Sequence, residues 1–132
     1  MSHFTSVKTQ IMDLDCLELA LKELDYRVIH QARIRGWENQ QKRADVVASF
    51  PELLCEYDIG FIRNPDSLSY DMVADWWAIS ERVGRDQDEV SQGIMQRYAY
   101  QKVLKEVKSR GFMVSEQKQE ADQSIRLVVR KW

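Results

Sequence analysis

The chain is poor in the residues that usually announce a function or staple a fold: two prolines, two cysteines and two histidines among 132 residues. Cys16 and Cys55 lie far apart with no Cys-x-x-Cys spacing. Buried thiols in a reducing compartment are the expectation, with a disulfide or redox pair as the alternative. His3 and His30 stand alone, with no nucleophile motif beside them. No glycine-rich phosphate loop, dinucleotide fingerprint, HExxH or calcium-loop spacing occurs, so no metal site and no cofactor is expected. No apolar run approaches the ~20 residues that span a bilayer. The opening MSHFTSVKTQI lacks the apolar stretch of a secretory signal and the Arg/Ser richness of a transit peptide, so the protein is expected to work where it is made. A net charge of −2 gives no overall attraction to nucleic acid or to acidic membranes.

What is present is ordinary globular composition, 44% hydrophobic and 30% charged, at a length that suits one domain, residues 1–132, with a real core. The clearest pattern is residues 53–77, LLCEYDIGFIRNPDSLSYDMVADWW. Leu53, Cys55, Tyr57, Ile59 and Phe61 alternate on one arm, and Leu68, Tyr70, Met72, Ala74 and Trp76 on the other. Asn64-Pro65-Asp66-Ser67 between them is turn chemistry. A hairpin centred there pairs Phe61 with Tyr70, Ile59 with Met72 and Tyr57 with Ala74, all on one buried face. The opposite face then carries Glu56, Asp58, Asp71 and Asp75.

Around that hairpin, residues 4–11 read as a strand with Val7 and Ile11 inward. A helix starts at Asp13 or Asp15, the latter at capping-box spacing from Glu18, with Leu14, Leu17, Leu21 and Leu24 as its apolar stripe. Strands are expected over Tyr26–Ile34 and over 44–50, with a loop over 35–41 between them and Pro51 as a stop. Residues 78–88 read as irregular. A long helix runs from near Asp86 to Arg110, stopped by Gly111, and strands cover 112–118 and 124–132. The helix-to-strand passages ALKELDYRV (20–28) and VLKEVKSRGFMV (103–114) echo one another, as a pseudo-symmetric pair or by chance similarity of amphipathic helices. The expected fold is α+β: a mainly antiparallel sheet of six or seven strands with two helices on one face. The expected core is Leu14, Leu17, Leu21, Leu24, Ile59, Phe61 and Met72, together with Tyr100, Val103, Leu104, Val107, Leu127 and Val129.

The stretches SHFTSVKTQI, YDIGF (57–61), YDMVADWW (70–77), QRYAYQKVL (96–104), GF (111–112) and SIRLVVRKW (124–132) together resemble the hypothetical chloroplast open reading frame thirty-five family, a domain of unknown function in plastid genomes and cyanobacteria. The resemblance runs over nearly the whole chain. It implies a photosynthetic source and a plastid stromal or cyanobacterial cytoplasmic location, and it supplies no catalytic residues. The chain departs from the family's look in the more charged 80–93 and in lacking a glycine near Gln123.

Three constellations remain. Glu56, Asp58, Asp71 and Asp75 on one sheet face would repel each other unless basic neighbours such as Arg33, Arg43, Arg126 or Arg130 paired with them, or a hard cation did. The long helix has two apolar facets. Gln96, Tyr100, Val103, Leu104 and Val107 form one, and Val90, Ile94 and Tyr98 the other. The second is covered either by residues 76–85, including Trp76 and Trp77, or by a partner. Arg33, Arg35, Trp37, Lys42 and Arg43 interleave basic and aromatic residues in a way that suits an anion such as RNA, or simply a solvated loop. The leading expectation is a non-catalytic accessory or binding protein acting through a protein partner, a second copy of this chain included, with Trp76, Trp77, Val90, Ile94 and Tyr98 at the contact. The alternatives are an enzyme or enzyme subunit using the acidic face, and a small RNA-binding module. No membrane association is expected, and nucleic acid is the less favoured partner.

Overall fold

Alternating apolar residues build a five-stranded sheet with β-branched and aromatic side chains on both faces. The computed structural model describes residues 3–51, 54–119 and 125–131. In chain order the elements are β1 (Thr5–Val7), α1 (Leu14–Glu23), β2 (Arg27–Arg35), β3 (Gln41–Ser49), β4 (Asp58–Arg63), β5 (Tyr70–Ala74), α2 (Trp76–Val83), α3 (Gln87–Ser109), β6 (Phe112–Gln119) and β7 (Ile125–Lys131). The sheet order is β1-β5-β4-β3-β2 with antiparallel neighbours throughout. β6 and β7 form a separate two-stranded antiparallel ladder. The class is α+β. In detail, the described strands divide five and two rather than forming one sheet of six or seven, and the helices number three, because α2 lies where an irregular stretch is expected.

Each helix is started by an aspartate whose carboxylate accepts a backbone N–H left unpaired at the helix end. Asp13 accepts from Cys16, Asp75 from Ala78 and Asp86 from Glu89. The cap of α1 is therefore Asp13, not Asp15. The missed helix α2 carries its own start signal in Asp75. The alternation through Ala74 invites an extended reading of Trp76, but the strand stops at Ala74 and the aspartate turns the chain into a helix.

All three helices pack on one sheet face. Cys16, Leu17, Ala20 and Leu21 of α1, Ala78 and Ile79 of α2, and Val90, Ile94 and Tyr98 of α3 bury against Val46, Ala48, Ile59, Phe61, Met72 and Ala74. Leu14 and Leu24 pack at the margin. The choice between the two facets of α3 thus goes the opposite way to the expected core. Val90, Ile94 and Tyr98 point inward, whereas Tyr100, Leu104 and Val107 are half-buried and Val103 is 48% exposed. The side chains of Leu127 and Val129 lie outside the described residues, as do Leu53 and the connection at 120–124.

The hairpin register is shifted by two residues from the expected one. Ile59 pairs with Ala74, Phe61 with Met72 and Arg63 with Tyr70. The turn is longer than four residues. The Asn64 N–H donates to the Ser69 carbonyl at 2.7 Å and the Leu68 N–H to the Asn64 carbonyl at 2.9 Å, with Leu68 in the left-handed region at φ 62°. A shift of two preserves which face each side chain occupies, because strand side chains alternate with period two. Cys55 and Tyr57 precede β4 and Trp76 follows β5, so none of the three belongs to the ladder.

The second sheet face is covered by the sheet itself. At Gln31, φ is 50°, a conformation that breaks the extended geometry of β2. The Gln31 amide donates to Asp45 Oδ1 at 3.3 Å, and Asp45 Oδ2 takes the Arg63 N–H at 2.8 Å. Beyond this bend the outer part of the β2–β3 hairpin folds back across the sheet. Ile34 and Ala44 bury against Val47 and Val73, with Phe4, Ala32 and Ile62 at the edge. Gly60 makes the close approach possible: a Cβ there would lie 2.7 Å from Ile34 Cγ2 and 2.9 Å from Ala44 Cβ.

Candidate binding site

The folded-back hairpin brings its tip over the start of β4, where two buried carboxylates hold it. Asp58 is 2% exposed and Asp75 is fully buried. Asp58 Oδ2 accepts the Arg35 N–H at 2.9 Å and Arg35 Nε at 2.8 Å. Its Oδ1 accepts Arg35 Nη2 at 2.9 Å and Ser49 Oγ at 2.8 Å. Such bidentate, charge-assisted contacts fix direction as well as distance. The Asp58 hydrogen bonds raise the Arg35 guanidinium above its ordinary range against the cost of its partial burial. Two residues on, the Trp37 N–H donates to Asp75 Oδ2 at 3.0 Å while Asp75 Oδ1 caps α2. Asp75 thereby ties the hairpin tip to the first turn of α2. Gly36 lies against the Phe4 ring, where an added Cβ would come within 2.9 Å of its edge.

The consequence is a tryptophan pair at the surface. Trp37, 40% exposed, and Trp77, 57% exposed, meet edge to face with ring centroids 6.5 Å apart. They flank a cleft of about 300 Å³ that Tyr57, Glu81 and Arg82 also line. A neighbouring cleft of about 370 Å³ runs under the tip past Glu38 and Glu56. Glu56 pairs with Arg82 at 2.8 Å. Glu38 and Asn39 adopt left-handed backbone at φ 55° and 63°, which lets the tip turn within three residues.

The expected acidic face is not assembled. Alternation puts Asp58 and Asp71 on the side of the sheet away from the helices, but Glu56 and Asp75 lie outside the strands and are not opposite one another. Asp58 and Glu56 are neutralised by Arg35 and Arg82 rather than by Arg33 or Arg43, and the side chains of Arg126 and Arg130 lie outside the described residues. Asp71 receives the Asn64 amide at 3.3 Å. Among the described residues no group of three or more His, Cys, Asp or Glu side chains is placed to hold a metal ion. Cys16 and Cys55 are free and buried, with burial pushing both thiols up from their ordinary pKa.

The partner-facing set expected on α3 is likewise divided. Val90, Ile94 and Tyr98 are core residues, and Trp76 is buried with them. Trp77 alone of that set is strongly exposed. The Tyr98 hydroxyl accepts the N–H groups of Met12 and Asp13, both at 3.1 Å, at the entry to α1. Among the basic candidates, Arg33 and Arg35 line a groove on the back of the sheet, while Lys42 and Arg43 are exposed along β3. Sequence reasoning missed Tyr57, Glu81 and Arg82. The start signal at Asp75, extended into a helix, would have placed Trp77, Glu81 and Arg82 on neighbouring turns of one surface. Among the described residues no helix is long and apolar enough to cross a membrane.

No solved structure matches the chain. Residues 20–128 match the family described as protein of unknown function DUF1257. Over its full length the chain is 32% identical to the uncharacterized protein ycf35 of Pyropia yezoensis and 32% identical to that of Cyanophora paradoxa, in each case covering 98% of the relative. It is 29% identical to ycf35 of Guillardia theta at the same coverage. Matched over most of its length by that family and end to end by relatives from plastid-bearing organisms, the chain belongs to the DUF1257 family.

Proposed function

We propose that the protein is a non-catalytic binding protein of the plastid stroma or cyanobacterial cytoplasm, acting through a protein partner that docks on the Trp37–Trp77 cleft. The single observation that carries this reading is the exposure of two edge-to-face tryptophans, Trp37 on a hairpin tip held by buried Asp58 and Asp75 and Trp77 on the first turn of α2. Large, preorganised aromatic side chains anchor binding energy at low entropic cost. The rim carries Glu38, Glu56 and Glu81 against Arg82, so the partner segment presents an apolar anchor flanked by basic side chains. This replaces the α3 facet with a neighbouring surface that keeps Trp77.

The test uses the whole chain as bait in extract from a photosynthetic cell, followed by reconstitution with the purified captured protein. Trp77→Ala weakens the reconstituted complex by about 30-fold, corresponding to a hot spot of ~2 kcal/mol, and added salt weakens it further. An affinity unchanged by both Trp37→Ala and Trp77→Ala overturns the proposal. Sedimentation equilibrium on the chain alone supplies the other arm: self-association abolished by Trp77→Ala assigns the cleft to a second copy and overturns the separate partner.

A further inference from the structure

The tryptophan cleft contains a carboxylate that nothing neutralises. Trp77 and Glu81 stand one turn apart on α2, at the i, i+4 spacing that sets side chains side by side on one helix face. Both line the cleft, with Trp37, Tyr57 and Arg82. Glu81 is exposed and, among the described residues, makes no hydrogen bond or ion pair. Its neighbour Arg82 is taken by Glu56 at 2.8 Å. Arg85, four residues beyond Glu81, lies past the left-handed cap at Gly84 that ends α2, so helical spacing does not bring the two together. Glu38, beside Trp37 on the hairpin tip, is likewise exposed and unpaired among the described residues. The remaining cation at this surface, Arg35, is committed to Asp58. With Arg82 matched to Glu56 and Arg35 to Asp58, Glu38 and Glu81 are left as uncompensated negative charge around two indoles.

That combination selects among basic side chains. A cation is attracted to the face of an aromatic ring, most strongly to an indole. The guanidinium of arginine is planar and weakly hydrated. It can lie flat on a ring while its N–H edge meets a carboxylate through two parallel hydrogen bonds. The lysine ammonium is a compact, strongly hydrated charge that offers neither contact so well. An exposed ion pair alone contributes little, so it is the indole one turn away from Glu81 that makes the pair discriminating. The interplanar angle of 80° between Trp37 and Trp77 sets two aromatic walls nearly at right angles. One wall suits a stacked guanidinium, and the other suits the methylene stem that carries it.

We infer, resting on the docking site proposed above, that a basic side chain flanking the partner's apolar anchor is an arginine, its guanidinium stacked on Trp77 and paired with Glu81 and its stem against Trp37. The probes are acetyl-Leu-Arg-amide, acetyl-Leu-Lys-amide and acetyl-Leu-citrulline-amide, the last keeping the shape of arginine without its charge. Each is titrated into the isotope-labelled whole chain while the indole Nε1–H signals of Trp37 and Trp77 are followed by NMR. The arginine probe shifts both signals saturably, and the lysine and citrulline midpoints are higher by about five-fold or more. Glu81→Gln raises the arginine midpoint by about five-fold and leaves the citrulline midpoint unchanged. Glu89→Gln, at an exposed carboxylate in the first turn of α3 and outside the cleft, changes neither. Glu81 is exposed and glutamine is as good a helix former, so the replacement leaves the fold intact. Equal midpoints for the three probes overturn the inference, as does an equal effect of Glu89→Gln. Shifts that fail to saturate by about 50 mM overturn it too, because diffuse screening has no stoichiometric endpoint. A trimethyllysine probe that binds more tightly than the arginine probe replaces the guanidinium with a quaternary ammonium and overturns it likewise. In the reconstituted partner complex, Glu81→Gln weakens binding along with Trp77→Ala. Weakening by Trp77→Ala alone removes the arginine and leaves the docking site standing, whereas indifference to both tryptophans removes the docking site itself.

Discussion

Arg35 grips Asp58 through its own backbone N–H and through both ends of a guanidinium fork, at 2.8 to 2.9 Å. The carboxylate is buried while the arginine side chain is half-exposed, so the two partners are not equivalent. Removing the arginine strands a buried charge; neutralising the aspartate leaves a cation that can reach water. Arg35→Ala therefore costs ~3–5 kcal/mol, as broken buried pairs do, and Asp58→Asn costs less. Urea unfolding of the two variants measures the difference, and the reverse order would contradict the burial asymmetry.

Gly60 and Gly93 provide a matched contrast. Alanine at 60 forces a Cβ into Ile34 and Ala44 and destabilises by ~1–3 kcal/mol, the usual cost of overpacking. Alanine at 93, inside α3 with nothing within 4 Å of the added Cβ, stabilises by ~0.5–1 kcal/mol through helix propensity. Thermal melts of the two variants move in opposite directions. A neutral Gly60→Ala would mean that the hairpin does not press on β4.

Tyr98 joins α3 to the entry of α1 through two backbone N–H groups. Tyr98→Phe removes the shared acceptor and costs ~1–3 kcal/mol, and Tyr98→Ala adds a cavity for a total of ~3–5 kcal/mol. Neither changes the state of association in sedimentation equilibrium, since the ring is inside the core. A change in association with stability intact would return Tyr98 to an interface.

Asp13 sets a pH dependence. The Lys105 ammonium, 2.6 Å away, is the main cause that holds its carboxyl down to about 2 from 3.8, with burial opposing and the Cys16 N–H assisting. Folded Asp13 stays ionised where unfolded Asp13 takes up a proton. Its contribution is complete above about pH 4 and is lost as pH falls toward 2. Asp13→Asn keeps a good helix cap and loses the ion pair. The variant should be less stable by about 1 kcal/mol near neutrality, with the gap closing in urea melts as the pH is lowered toward about 2.5. A gap that stays constant with pH would remove Lys105 from the account.

Local chemistry made much of this protein legible before any tertiary structure. Asp86 and Gly111 bracket α3 to within a residue at each end because capping is a property of the chain's own backbone groups. The alternation in β4 and β5 assigned Ile59, Phe61 and Met72 to the core, and a register error of two could not move them off it. Family membership was carried by the motifs themselves. Other features needed the fold. Which facet of α3 faces inward depends on what the sheet and α1 present to it, and a helix with two apolar stripes holds no local record of that choice. The meeting of Trp37 with Trp77 follows from one left-handed residue, Gln31, and one missing Cβ, at Gly60. Neither reveals its role until the hairpin it bends has a sheet to fold back upon, because side-chain packing between segments remote in sequence selects the bend.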